Sequence, residues 1–119
     1  MRVDKFLWCT RYYKTRSIAT EAIKKGHVTI NGQAAKASRE VYASDKITLR
    51  KDQINYKITV LDIPPNRVGA KLVDIYRKDE TPPEEFERFE LLKLAKIYII
   101  YIYIKYIYIL LLLLIITLL

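Results

Sequence analysis

Residues 16–32 read RSIATEAIKKGHVTING, and this stretch decides the fold. In its first half Ile18, Ala19, Ala22 and Ile23 recur at the spacing of one buried helical face. Thr15 or Ser17 supplies a cap for that helix, Lys24 and Lys25 suit the negative end of its dipole, and Gly26 stops it. After Gly26 the period shortens to two, with Val28 and Ile30 alternating with His27 and Thr29. Asn31 and Gly32 follow, a pair that accepts the positive φ angles of a tight hairpin turn. A helix that feeds a strand hairpin puts this part of the chain in the α+β class.

Upstream, Val3, Phe6, Leu7 and Thr10 share one face of a helix over about Val3 to Tyr12, and Arg2, Lys5 and Arg11 fall off that face. Downstream, strands are expected at Lys46 to Arg50, with Ile47 and Leu49 on one face, and at Tyr56 to Leu61 before Pro64 and Pro65. Lys51, Asp52, Gln53 and Asn55 supply turn chemistry between them. A loop from Asn66 to Glu80 leads to Thr81, Pro82, Pro83 and Glu84, which place a cap, proline and a capping-box Glu in order. The helix that begins there carries Phe86, Phe89 and Leu92. The expected fold is therefore α+β, two short N-terminal helices packed on a small β-sheet, then a C-terminal helix and an apolar low-complexity tail.

The chain has 119 residues and a formal net charge of +8, all of it in the first half. Residues 1–58 hold 13 basic and 5 acidic side chains, whereas residues 59–119 hold 8 of each. The two helices and their tight basic turn bring Arg2, Lys5, Arg11, Lys14, Arg16, Lys24 and Lys25 near one another. Such a surface attracts a phosphate backbone and releases its counterions. Charge alone is equally consistent with a solvated face. Backbone N–H groups at Thr15, Arg16 and Ser17 suit a phosphate, and Tyr12 and Tyr13 are either stacking surfaces or packing residues. The single Cys9 excludes an intramolecular disulfide, and no signal-like apolar run follows Met1 to Leu7, so the cytoplasm is the expected location.

In this order and spacing the residues resemble the S-four type RNA-binding domain, or alpha-L motif. The match runs through Arg2, Asp4 and Leu7, then Arg16, Ser17, Ala19, Ala22 and Ile23, then Gly26, Val28, Ile30, Asn31 and Gly32, and ends at Asp45, Lys46 and Ile47. It covers roughly residues 1–50. From Met1 to about Lys96 the chain is more narrowly similar to the heat-shock protein fifteen family of ribosome-associated proteins. Ser44 stands where that family usually has Gly, which puts one turn conformation in question.

The resemblance implies an S-four type RNA-binding domain at 1–63 and a loop and helical extension at 64–96, and it leaves the apolar tail at 97–119 as a separate piece. It implies binding to structured RNA, namely ribosomal RNA of the large subunit, with tRNA as a further partner. Carried over by position, the RNA-contacting candidates are Arg2, Lys5, Arg11, Lys14, Thr15, Arg16, Ser17, Lys24, Lys25 and Asn31. Asp4 is read as structural, orienting a neighbouring Arg. No cofactor and no catalysis are expected: His27 has no metal-spaced partner, Cys9 reads as a small core residue, and little chain is left for a catalytic domain. Duplex DNA is the rival ligand, because two helices with a short turn also suit a major groove.

The tail departs from the resemblance. Ile97 to Leu119 is apolar but for Lys105 and Thr117, and its 23 residues approach the roughly 20 needed to cross a bilayer. Three accounts fit it. Alternating ATA and TAT codons spell Ile and Tyr, so Ile97 to Ile109 reads like translation through a dinucleotide repeat; a confirmed frame shared by relatives would contradict that. A membrane anchor fits the hydropathy and would leave the basic half in the cytoplasm. Self-association fits the β propensity of the Ile and Tyr alternation.

Overall fold

The computed structural model describes residues 1–119. Helix α1 spans Val3–Cys9 and α2 spans Arg16–Lys24. Thr15, not Ser17, caps α2: its hydroxyl accepts from the Ile18 N–H at 3.2 Å. Both helices end by the same device. The His27 N–H reaches the Ala22 carbonyl and the Gly26 N–H the Ile23 carbonyl, with Gly26 at φ +79°. In α1 the Tyr12 N–H reaches Leu7 and the Arg11 N–H reaches Trp8, with Arg11 at φ +65°. That left-handed residue ends α1 three residues short of the expected Tyr12, at a position where no glycine advertises the stop.

Antiparallel strands β1 (Val28–Ile30), β2 (Gln33–Ala34), β3 (Lys46–Lys51), β4 (Ile54–Val60) and β5 (Arg77–Asp79) form one sheet in the order β2-β1-β3-β4-β5. Asn31 and Gly32, at φ +52° and +80°, turn β1 into β2 as expected. Asp52 and Gln53 make an equivalent two-residue turn without glycine, so β4 begins at Ile54 rather than Tyr56. Val3, Phe6 and Leu7 of α1 and Ala19, Ala22 and Ile23 of α2 bury against Val28, Ile30, Ile47, Leu49, Ile58 and Val60 of the sheet. Ile18, expected in that core, is 49% exposed. One residue step rotates about 100° around the helix, which carries Ile18 away from the Ala19 face.

The stretch expected as loop holds structure. A 3-10 turn at Ala70–Leu72 leads into a short helix α3, Val73–Tyr76, and then β5. This strand pairs Val60 with Arg77 and Ile58 with Asp79. Arg77, Lys78 and Asp79 carry no strand signature, and tertiary contacts hold them instead. The buried Tyr12 hydroxyl donates to Asp79 at 2.7 Å, and the Arg77 guanidinium lies 5.5 Å from the Tyr12 ring centre. Burial, then the bond to Asp79, pushes the Tyr12 phenol up. At Asp79 burial would raise the carboxyl, but bonds from Thr81 and Tyr12 and the charge of Arg77 together hold it below its ordinary value. The first compact unit runs Met1–Pro83.

Helix α4, Pro83–Leu118, carries Phe86, Phe89, Leu92 and the tail without a break. Thr81 does not cap it, because that side chain accepts from the Lys57 N–H and donates to Asp79. From Glu90 onward every residue is exposed and apolar side chains surround the helix, which is long and apolar enough to cross a membrane.

Ser44 takes φ +75° while its N–H donates to the Val60 carbonyl at 2.8 Å. The turn normally made by glycine is thus kept by a residue whose Cβ strains it. Ser44→Gly is expected to raise unfolding stability by about 1 kcal/mol. Urea titration checks this, and an unchanged or lowered midpoint would contradict it.

Candidate nucleic-acid interface

The site is built around one buried carboxylate. Asp4, the second residue of α1, is 2% exposed and therefore needs charged partners. The Arg2 Nη2 donates to Asp4 Oδ2 at 3.1 Å, the Arg16 Nη2 lies 3.5 Å from Asp4 Oδ1, and the Thr20 hydroxyl donates to Oδ2 at 3.1 Å. The same Thr20 hydroxyl, one turn beyond Arg16, lies 3.0 Å from the Arg16 carbonyl, so its single proton is shared between that oxygen and Asp4. Arg2 is held from behind. Backbone bonds from Val3 to Arg39 and from Val41 to Met1 tie the first residues to segment 39–41, and the Met1 amino group pairs with Glu40 at 2.7 Å.

The Arg2 and Arg16 side chains remain 45% and 44% exposed. Each guanidinium has five N–H donors, so the Asp4 contacts fix its position while other donors face solvent. Arg2, Thr20 and Lys24 line an open cleft of about 510 Å³ together with Lys36 and Ser38. Lys14, Thr15 and Ser17 are exposed beside Arg16 in sequence, and Lys5 is half-buried next to Asp4. Two charges close to a shared carboxylate, flanked by further lysines, form a surface suited to phosphate oxygens.

Three candidates fall elsewhere. Lys25 lines a different cleft, with Arg50 and Lys51. Arg11 donates through Nε to the Val68 carbonyl at 2.6 Å. Asn31 gives its amide to Asp45 at 3.1 Å and accepts from the Lys46 N–H at 2.9 Å, so its side chain braces the hairpin turn. Sequence reasoning also missed residues. Lys36 enters from an irregular segment with no periodicity to place it, and Thr20 looks like an ordinary helix residue. Tyr12 and Tyr13 are packing residues, both buried, which withdraws them as open stacking surfaces. The Tyr13 phenol is pushed up to about 12 by burial and then by Asp52. Burial likewise raises the Cys9 thiol above its ordinary value, consistent with a core residue.

Two helices on a small antiparallel sheet, with basic residues gathered around a buried acid, define an α+β module of the S4 type, and the S4 domain family profile matches residues 1–47. The chain is 45% identical over 76 residues to the "RQC P-site tRNA stabilizing factor" of Bacillus subtilis, covering 64% of this chain and 88% of that protein. It is 37% identical over 75 residues to the "Heat shock protein 15 homolog" of Aeromonas salmonicida, covering 63% of this chain. That match spans only 57% of the relative's length. The trimeric structure of Vibrio cholerae Heat Shock Protein 15 superposes with a TM-score of 0.67 at 33% identity, covering 80% of this chain and 94% of that one. The chain belongs to the S4-domain family that includes Heat shock protein 15 and the RQC P-site tRNA stabilizing factors.

Asp4→Ala removes charge-assisted bonds from both arginines and is expected to destabilise the Met1–Pro83 unit by about 1–3 kcal/mol. Chemical denaturation measures the loss. No change in stability would mean that the arginines are not held by this carboxylate.

Proposed function

We propose that the chain binds structured RNA in the cytoplasm without catalysing a reaction, and that its target is ribosomal RNA of the large subunit, with tRNA as a further partner. The observation that carries this reading is the pair of arginines on a shared buried carboxylate. A solvated charged face has no need of a buried acid to orient its guanidinium groups, whereas recognition of a fixed phosphate pattern does. The name of one relative, the RQC P-site tRNA stabilizing factor, supports tRNA at its P-site as a partner. In this reading Arg2, Lys14, Arg16 and Lys24 hold phosphates, Thr15 and Ser17 donate to the backbone, and Lys5 adds to the field. Arg11 and Asn31 contribute by bracing loops. The division at residues 63 and 96 belongs to the same proposal, with 97–119 a separate piece. For that piece a bilayer is the second reading, favoured by the apolar surface on every side of α4.

The test is titration of folded hairpin RNA at several salt concentrations. Affinity should fall with a log–log slope of about −0.7 to −0.9 per phosphate neutralised. Arg16→Ala and Lys14→Ala should each weaken binding about tenfold and flatten that slope by about one contact, with the domain still folded. Unchanged affinity in both variants would contradict the surface. Tighter binding to duplex DNA of equal length would overturn RNA as the ligand.

A further inference from the structure

The cleft that receives Lys25 lies apart from the Asp4 cluster. It measures about 320 Å³, within the size range of small-ligand sites. Its walls are mixed. Tyr13 and the exposed Ile18 give it an apolar side; Lys25 and Arg50 give it cationic groups; Glu21 and Asp52 give it acceptors. Arg50 is fixed there by its N–H, which donates to the His27 carbonyl at 2.8 Å. Phosphate alone is poorly matched to this lining, because two carboxylates share it. A small aromatic ring with polar edges and one adjoining anionic group matches it better.

A second observation points the same way. Tyr13 is 4% exposed, and its buried hydroxyl has no hydrogen-bond partner, an arrangement that native structures seldom leave unmet. The Lys51 ammonium sits 5.6 Å from the centre of the Tyr13 ring, and Lys51 also lines the cleft. Movement of that flexible arm toward an incoming anion would open the tyrosine to the cleft.

We propose that this cleft takes a single unpaired nucleotide of the bound RNA. The base enters against Ile18 and Tyr13, its polar edge meets the tyrosine hydroxyl and the Glu21 or Asp52 carboxylate, and Lys25 and Arg50 hold the adjoining phosphate. A duplex groove offers no free base, so the cleft adds selectivity for irregular RNA to the phosphate grip of the Asp4 cluster. This inference rests on the RNA-binding reading above.

The experiment compares two hairpin RNAs that differ only by one unpaired nucleotide in the stem, titrated with the full chain in a mild detergent at fixed ionic strength. The wild type should prefer the bulged hairpin by about fivefold or more. Tyr13→Phe should reduce that preference while leaving the unfolding midpoint unchanged or higher, since a purely structural role for an unpartnered hydroxyl predicts no effect on binding. Arg50→Ala should also reduce the preference, whereas Arg16→Ala should weaken both hairpins equally. Equal wild-type affinity for the two hairpins overturns the proposal and leaves RNA binding standing. A preference that survives both Tyr13→Phe and Arg50→Ala overturns its assignment to this cleft. Binding to neither hairpin removes the RNA reading and the proposal together.

Discussion

A carboxylate buried at the start of α1 cannot be left unpaired, and the arrangement of the basic surface follows from how Asp4 is satisfied. Its partners come from four places: Arg2 ahead of α1, the backbone N–H of Lys5 at 2.7 Å, Arg16 at the first turn of α2, and Thr20 one turn later. The two helices are thus registered against each other by polar contacts on one side and by Phe6, Leu7, Ala19 and Ile23 on the other. Because the arginines meet Asp4 at the surface, the same bonds that satisfy the buried acid aim their guanidinium groups outward. Stability and recognition depend here on a shared set of atoms.

The sheet supplies the rigid backing. Segment 39–41 straps down Met1 to Val3, so Arg2 is placed by the backbone as well as by Asp4. At the far edge, β5 is recruited by the Tyr12 hydroxyl at the end of α1. Tyr12 is spent on packing and Tyr13 lines the other cleft, which leaves phosphate contacts as the means by which the Asp4 surface can grip a ligand. Shape and charge, more than base reading, are what such a surface recognises.

The helix and hairpin of residues 16–32 were legible because each local signal agreed: a capping Thr15, a buried stripe, a stopping Gly26 and an Asn31-Gly32 turn. Where a residue other than glycine takes positive φ, the exact place of the stop or turn is hard to read, even at Ser44, which the resemblance marked, and at Asp52 and Gln53, which suit a turn. Arg11, Ser44, Asp52 and Gln53 all take positive φ, which shortened α1 and moved the start of β4. Strand β5 was invisible because Arg77 to Asp79 pair through tertiary contacts and carry no alternation. At the site, charge and resemblance indicated Arg2, Arg16 and Lys24, and the structure brings these together. Lys25, Arg11 and Asn31, carried over by position, lie apart from that cluster; Lys24 and Lys25 are neighbours about 100° apart around the helix and reach different clefts. Asp4 was read as orienting one arginine, whereas it lies within ion-pair distance of two.

The measurement closest to the central claim is a double-mutant cycle on RNA affinity between Asp4→Asn and Arg16→Ala. If the carboxylate positions the arginines for phosphate, Asp4→Asn weakens binding even though it removes a negative charge, and it costs less in the Arg16→Ala background, where only Arg2 is left to misplace, than in the wild type. Additive losses, or tighter binding by Asp4→Asn from the added positive charge, would contradict the account.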